Sequence, residues 1–439
     1  MKIWSGSAAS EGKNSAYDAM LDRDLSVDKL LVKYEALSLM AYNMAIYDGG
    51  ILDKKNISKV LNELLKIYYN GIDLDRDSED VHGNVENYVL SKLPNSGKNL
   101  RMFLSRNEEV HTDVNLFIND LLIEYENILY KTMLGIKENK YEGILPGYTH
   151  FRQAMPISFG TYKDYIENII VNAFNKINNL YNGMRELPLG YGSGFGSLSD
   201  VNFEKVAKYI NLKKNIKNPL YSAHLYIDMY IDALSIITEF LISLSRIFQD
   251  LIIFSGDEMD IIELPSGYVT GSSLMPNKVN PDYLEIFQGY ASKSISLMNL
   301  IYSISINKTP GYHRDFQMIK DEIIPFLYEL KDVLNGLPDL FSKMKFNSER
   351  ALKLIKNSTY ATYNSKIYFM KNNDWKSSYK ETGDKIKNKG KLEEYTPETI
   401  ITFDNFNNIK KIIDKNTNAA KESRDSFLME IKKIVDNLQ

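Results

Sequence analysis

The sequence predicts an all-α protein with a long central helical bundle, on three observations. Apolar residues recur at helical spacing over long stretches, β-like alternation is scarce, and three short segments between those stretches are rich in Gly, Pro or Ser. Taken in order, the first periodic segment is Val27 to Tyr47, stopped by Asp48 before Gly49 and Gly50. Further helices are expected over Ile57 to Tyr69, Asp80 to Leu93, Glu108 to Lys137, Ile157 to Arg185, Asp282 to Ile306 and Asp315 to Phe341. Several exceed the ~8–20 residues of an ordinary globular helix, which points to rods packed as a bundle. The intervening segments, Tyr141 to Pro156, Leu187 to Asp200 and Glu263 to Pro281, read as loops where chemistry is commonly placed.

Leu225 to Phe254 is rich in Leu and Ile but carries Asp228, Asp232, Glu239, Arg246 and Asp250. At about 100° per residue these positions return to within roughly 40° of one azimuth, so the charges form a narrow stripe on an apolar helix. That pattern fits a helix deep in a soluble bundle, its stripe structural or inter-subunit, and not a membrane span. After Phe346 the periodicity weakens until Ile409 to Val435. The chain therefore divides into an N-terminal helical domain (1–104), a central long-helix domain (105–345) and a small C-terminal helical domain (346–439).

The 439 residues are 44% hydrophobic and 25% charged, an ordinary globular composition. Fifty-three basic against fifty-seven acidic residues give a net charge of -4, with no overall footprint for nucleic acid or an anionic membrane. No cysteine is present, so disulfides, thiolate metal sites and cysteine nucleophiles are excluded and a cytoplasmic setting is expected. Met1 to Asn14 lacks the basic start and apolar run of a secretory signal.

Among motifs, Gly190, Gly192, Gly194 and Gly196 alternate without the spacing of a dinucleotide loop. Neither a phosphate loop nor HExxH occurs, and the five histidines show no zinc spacing, so no metal is expected. In GSSLMPNKVNP (Gly271 to Pro281), Asn280 suits an N-cap and Pro281 the first helical position, which with Lys278 makes an anion site. A linker that merely caps a helix fits the spacing equally well. PGYTHFRQAMP (Pro146 to Pro156) sets Thr149 and His150 in a turn, where a histidine can act as acid or base. SRNEEVHTD (Ser105 to Asp113) puts Ser105, Arg106 and Asn107 at a helix start, and GYHRDFQMIK (Gly311 to Lys320) brings Tyr312, Gln317 and Lys320 near one face. Capping and an exposed charged face are the plain alternatives for these two.

In their order along the chain, EDVHGNVE (Glu79 to Glu86), SRNEEV, PGYTH, the PLG at Pro188, GSSLMPNKVNP and YHRDFQ resemble the argininosuccinate lyases of the fumarase/aspartase superfamily. The resemblance is strong from Glu79 to Lys320 and loose elsewhere. GSSxMPxKxNP marks the superfamily, and KVN looks like fumarase and aspartase, whereas GYTH, SRN and YxRDxQ look like argininosuccinate lyase. The resemblance implies a three-domain subunit, a homotetramer with a twenty-helix core, active sites each built from three chains, and no cofactor. The implied reaction is reversible elimination of argininosuccinate to arginine and fumarate.

That chemistry needs preorganised positive charge beside the carbanion, which Lys278 and the helix start can supply. By pKa alone His150, oriented by Glu285, would be the base, because an unassisted serine is a poor one at neutral pH. The family pattern instead places the base at Ser272, leaving His150 with Glu285 as acid or relay. By the same pattern Ser105, Asn107, Thr149, Lys278 and Asn280 hold the succinyl carboxylates, with Arg106 beside them. Tyr312, Gln317 and Lys320 grip the arginine part, and His82 matches a histidine near the site. The chain departs from the family at Trp4, where WGGRF reads WSGSA, at Asp18 in place of a substrate-binding serine, and near His224, where SDRD is missing. Another fumarate-forming lyase and a catalytically silent, crystallin-like homologue are the competing readings.

Overall fold

The computed structural model of the protein describes residues 15–402 and 406–436. Fifteen α-helices occur among them: α1 (Ser15–Asp28), α2 (Val32–Asp48), α3 (Lys54–Asn70), α4 (Val81–Lys92), α5 (Arg106–Glu138), α6 (Phe159–Gly183), α7 (Phe203–Tyr209), α8 (Pro219–Ser255), α9 (Asp282–Ser305), α10 (Gln317–Leu334), α11 (Leu337–Lys343), α12 (Ser348–Leu354), α13 (Ala361–Asn372), α14 (Trp375–Lys387) and α15 (Phe406–Asp436). Six short strands pair only as antiparallel couples: β1 (Ile144–Thr149) with β2 (Arg152–Ser158), β3 (Ile262–Glu263) with β6 (Lys345–Phe346), and β4 (Thr270–Gly271) with β5 (Val279–Asn280). The expected all-α architecture is what the chain adopts.

Side-chain caps set where many helices begin. Asp53, Asp80, Ser158, Asn202, Asn218, Asn347 and Asp374 each accept a first-turn N–H, and Ser105 with Glu108 forms a full capping box at α5. The rods are long. The 37 residues of α8 span about 55 Å at the usual helical rise. α8 packs on α9 and α6, while α5 packs on α6, α2, α10 and α11. Between α8 and α9 the core is aromatic, with the rings of Phe248 and Phe287 4.5 Å apart. Gly135 on α5 lets α11 approach so closely that a Cβ would sit 2.3 Å from the Pro338 carbonyl oxygen.

Several boundaries differ from the sequence reading. Val27 to Tyr47 is not one helix: the chain turns at 29–31, directly after Asp28, whose carboxylate accepts the Val81 N–H at 2.9 Å. Asp315 to Phe341 breaks at Asn335–Gly336, and Pro325 lies inside α10. Tyr141 to Pro156 is largely a β-hairpin and not a loop, because Leu145 and Ile157 pair on its buried side. Its turn residues, His150 (φ 53°) and Phe151 (φ 55°), adopt the left-handed pair that a tight two-residue hairpin requires. Asn280 does not cap α9. It is paired with Thr270 in the β4–β5 ladder, Pro281 takes the cap position, and the Thr270 hydroxyl bonds Asp282. The apolar faces of α8 are buried, while Asp232, Glu239 and Arg246 of its charge stripe face outward.

The last helix, α15, lies along α5 and α3. Arg424 grips Asp120 with two hydrogen bonds of 2.9 and 2.8 Å, and Asn416 donates to Glu126 at 3.0 Å. Burial pushes the Glu126 carboxyl up to about 7, with the Asn416 hydrogen bond opposing. A carboxyl raised on folding favours the native state while protonated, so its contribution is complete below the unfolded value and is lost as pH rises through 7. Glu126→Gln is expected to remove about 3 kcal/mol of that loss, read as a smaller drop in the urea midpoint between pH 5 and pH 8. Glu167, likewise raised to about 7 by burial, keeps its own share of the slope.

Candidate active site

One group of motif residues converges without any partner chain. The starts of α4 and α5, the end of α1 and the segment entering α10 enclose a cavity of about 320 Å3, lined by His82, Arg106, Asn107, Tyr312, Gln317 and Lys320 together with Asp24, Asp28, Asp80 and Arg314. The start of α4 packs hard against the turn at Ser78 because Gly83 has no side chain: a Cβ there would meet the Ser78 carbonyl oxygen at 2.0 Å. Arg106 reaches Glu79 and Asp80 at 3.2 Å each, and Glu79 also takes Arg314 at 3.3 Å. Glu79 itself sits at φ 76°, a strained conformation that sets its carboxylate between the two guanidinium groups. Burial works to raise Asp80, but His82 and Arg106 outweigh it and leave the carboxyl below its usual range.

Lys320 is buried and bound to both Asp24 and Asp28. Burial opposes its charge, yet the two carboxylates hold its pKa well above the ordinary value. Two anions against one cation remain unfavourable in so dry a place, and Asp24 and Asp28 are raised by burial. Burial also pushes Tyr312 up to about 12, so its hydroxyl stays neutral. Ser105 and Asn107 meet Ser193 of the glycine-rich segment, Asn107 at 3.4 Å. Glu108 ties that segment down: Oε1 accepts the Ser105 N–H at 2.9 Å, and Oε2 accepts the N–H groups of Gly190 and Gly192 at 2.9 and 2.8 Å.

The other motif residues lie apart. Thr149 and His150 are exposed at the hairpin tip, beside a Phe151 that is 84% exposed. Ser272, Lys278 and Asn280 belong to the segment that β4 and β5 close, where Leu274 is 83% exposed. Ser272 Oγ accepts the N–H groups of Leu274 and Met275 at 3.3 and 3.0 Å. Glu285 is exposed on the first turn of α9. Among the described residues no hydrogen bond or ion pair links Ser272, His150 and Glu285 to one another or to the cavity. A single chain thus presents three partial surfaces: a pocket of paired charges, a hairpin tip and an exposed serine segment.

Residues that motif reasoning passed over complete the pocket. Glu79, Asp80 and Arg314 stood inside quoted motifs, and Glu35, which holds His82 Nδ1 at 2.9 Å, is a lone acid in the apolar run of α2. Asp24 and Asp28 had no signal beyond their charge. Trp4 lies outside the described residues, and of Asp18 only its place in α1 is described. Glu35, His82 and Asp113 are the one group of ligating side chains near enough to share an ion among the described residues. The Arg101 guanidinium, 3.8 Å from Glu35, already supplies a counter-charge there, so the donor set fits a metal poorly.

Long helical rods packed around a cavity of charged side chains give the chain a fumarase-like fold. The chain belongs to the lyase family, whose sequence profile matches residues 11–295. It is 28% identical to argininosuccinate lyase of Thermotoga neapolitana over 82% of this chain and 93% of that one, and 29% identical to argininosuccinate lyase of Parabacteroides distasonis over 79% of each. In fold it resembles EDDS lyase in complex with formate (TM-score 0.79, 15% identity, 97% of both chains) and class II fumarase from Schistosoma mansoni (TM-score 0.70, 16% identity, 88% and 90%). No described helix is long and apolar enough to cross a membrane.

Proposed function

We propose that the protein catalyses the reversible elimination of argininosuccinate to arginine and fumarate, as a step of arginine biosynthesis in the cytoplasm and without a cofactor. The observation that carries this reading is the cavity in which Arg106, Arg314, Lys320 and His82 converge beside Asn107. Arg106 and Arg314, held in place by Glu79 and Asp80, are fixed positive groups that suit the carboxylates of a succinyl unit and the negative charge that develops on them when a neighbouring proton leaves. Relatives that are named argininosuccinate lyase support the substrate.

In this reading Ser272 removes the proton. Its oxygen already accepts two backbone N–H bonds, which would stabilise the alkoxide form, and Lys278 lies six residues on. His150, supported by Glu285, returns a proton to the departing guanidino nitrogen. Ser105, Asn107, Thr149 and Asn280 bind succinyl carboxylates, and Tyr312, Gln317 and Lys320 hold the arginine part. Residues 1–104, 105–345 and 346–439 act as three domains of one subunit. Because the three partial surfaces are separate in one chain, the complete site is assembled from three chains of a homotetramer. Ile242 of α8 and Ile286, Ile295 and Tyr302 of α9 are exposed large apolar groups on the rods that would form its shared core.

Purified protein is expected to generate fumarate absorbance from argininosuccinate and not from aspartate, malate or adenylosuccinate. Turnover of aspartate or malate alone would assign it to another fumarate-forming lyase, which the KVN of the serine segment favours. No turnover from any of the four would mark a silent homologue.

A further inference from the structure

We propose that Glu35 and Asp113 form a buried acid pair sharing one proton, and that the pair fixes the ring orientation and tautomer of His82 at the cavity wall. Glu35 and Asp113 are both fully buried and His82 is nearly so. Glu35 Oε2 faces His82 Nδ1 at 2.9 Å, Asp113 Oδ2 lies 3.9 Å from the same nitrogen, and Asp113 Oδ1 accepts the Ser38 hydroxyl at 2.9 Å. Two carboxylate oxygens are left over, Glu35 Oε1 and Asp113 Oδ2, and neither has a hydrogen-bond partner. Ionised carboxylates only accept, so two of them side by side in a dry site cannot satisfy each other. One proton on Asp113 turns it into a donor and removes the conflict.

The surrounding charges agree. Burial first, and then the charge of Glu35, push the Asp113 carboxyl well above its ordinary value. Burial alone would raise Glu35 too, but the His82 ring, through the hydrogen bond it gives, and then Arg101 reverse this and hold the carboxyl below its ordinary value. Arg101 is itself committed to Glu109, and Asp28, Asp80 and Glu86 are further acids facing the group. An ionised Glu35 accepts a hydrogen bond from the Nδ1–H of His82, so Nε2 is the nitrogen left for the cavity. Glu35 is therefore a positioning residue acting through His82. The effect on turnover rests on the lyase reading above, whereas the tautomer does not.

The test is nitrogen NMR of the solid, full-length protein labelled on its five histidines, with His82 identified by the signal missing from His82→Asn. Wild type and Asp113→Asn, whose amide can replace the acid proton, are expected to show a hydrogen-bonded Nδ1–H, and Glu35→Leu, which offers no acceptor, to lose it. Carbon NMR of the labelled wild-type carboxyls is expected to find one of the two acids protonated at neutral pH. In the fumarate assay Glu35→Leu is expected to lower kcat/KM by about 10- to 100-fold. An unchanged Nδ1–H signal in Glu35→Leu overturns the proposal, as do its loss in Asp113→Asn and two ionised carboxyls in wild type. If Glu35→Leu does not fold, the wild-type carboxyl signals decide alone: one protonated acid supports the pair, and two ionised acids overturn it. Absence of turnover in wild type would defeat the lyase reading, and the spectra would still decide for or against the pair.

Discussion

Ser272→Ala is expected to lower kcat on the order of 10^3-fold while leaving the thermal midpoint unchanged. Stability should hold because the side chain lies on an exposed segment and, among the described residues, makes two hydrogen bonds, both to local N–H groups. Catalysis should fall because no other hydroxyl in the segment accepts such a pair, and the proton taken from a weak carbon acid needs an acceptor whose negative form is already stabilised. His150→Asn should cost less, since a protonated guanidino leaving group departs with some help from water. Near-native turnover of Ser272→Ala together with a collapse in His150→Asn would exchange the two roles.

The second large effect concerns stability. Lys320→Ala is expected to destabilise the protein by about 3–5 kcal/mol, because it strands Asp24 and Asp28 in a buried place with the ammonium that binds both of them gone. Both carboxyls already lie above their ordinary values, and without the ammonium they rise further. Their protonation should relieve the damage, so the loss measured by urea titration should shrink from pH 8 to pH 5. Combining Lys320→Met with Asp24→Asn and Asp28→Asn should recover most of the stability and none of the activity. A pH-independent loss, or no rescue, would show that the ammonium is not what holds these acids.

How much of this was legible depended on the range of the interaction. Helix cores could be read from periodicity, and α5, α8 and α9 lie where the apolar spacing put them, because a buried stripe on a rod is a local property. Ends fared worse where a distant group decided them. The break after Asp28 falls where its carboxylate meets the distant Val81 N–H, and the displacement of Asn280 from the α9 cap follows from its pairing with Thr270. The hairpin at His150 was hidden by its prolines, which suggest a loop, although Pro146 and Pro156 in fact face each other across the ladder. Six motif residues could be gathered into one pocket from their motifs. Asp24 and Asp28 could not, since nothing in a short acidic helix announces which lysine it will meet.

The glycine-rich segment shows why that run of small residues is no nucleotide loop. Elsewhere such bare amides wait for a phosphate; here they are engaged from within, by the carboxylate of Glu108 at the head of the longest rod beside the pocket. A built-in anion of this kind cannot be released or exchanged for one from solution. Two far-separated parts of the chain are thereby fastened at the pocket rim before any substrate arrives, and the hydroxyls of Ser105 and Ser193 arrive already matched.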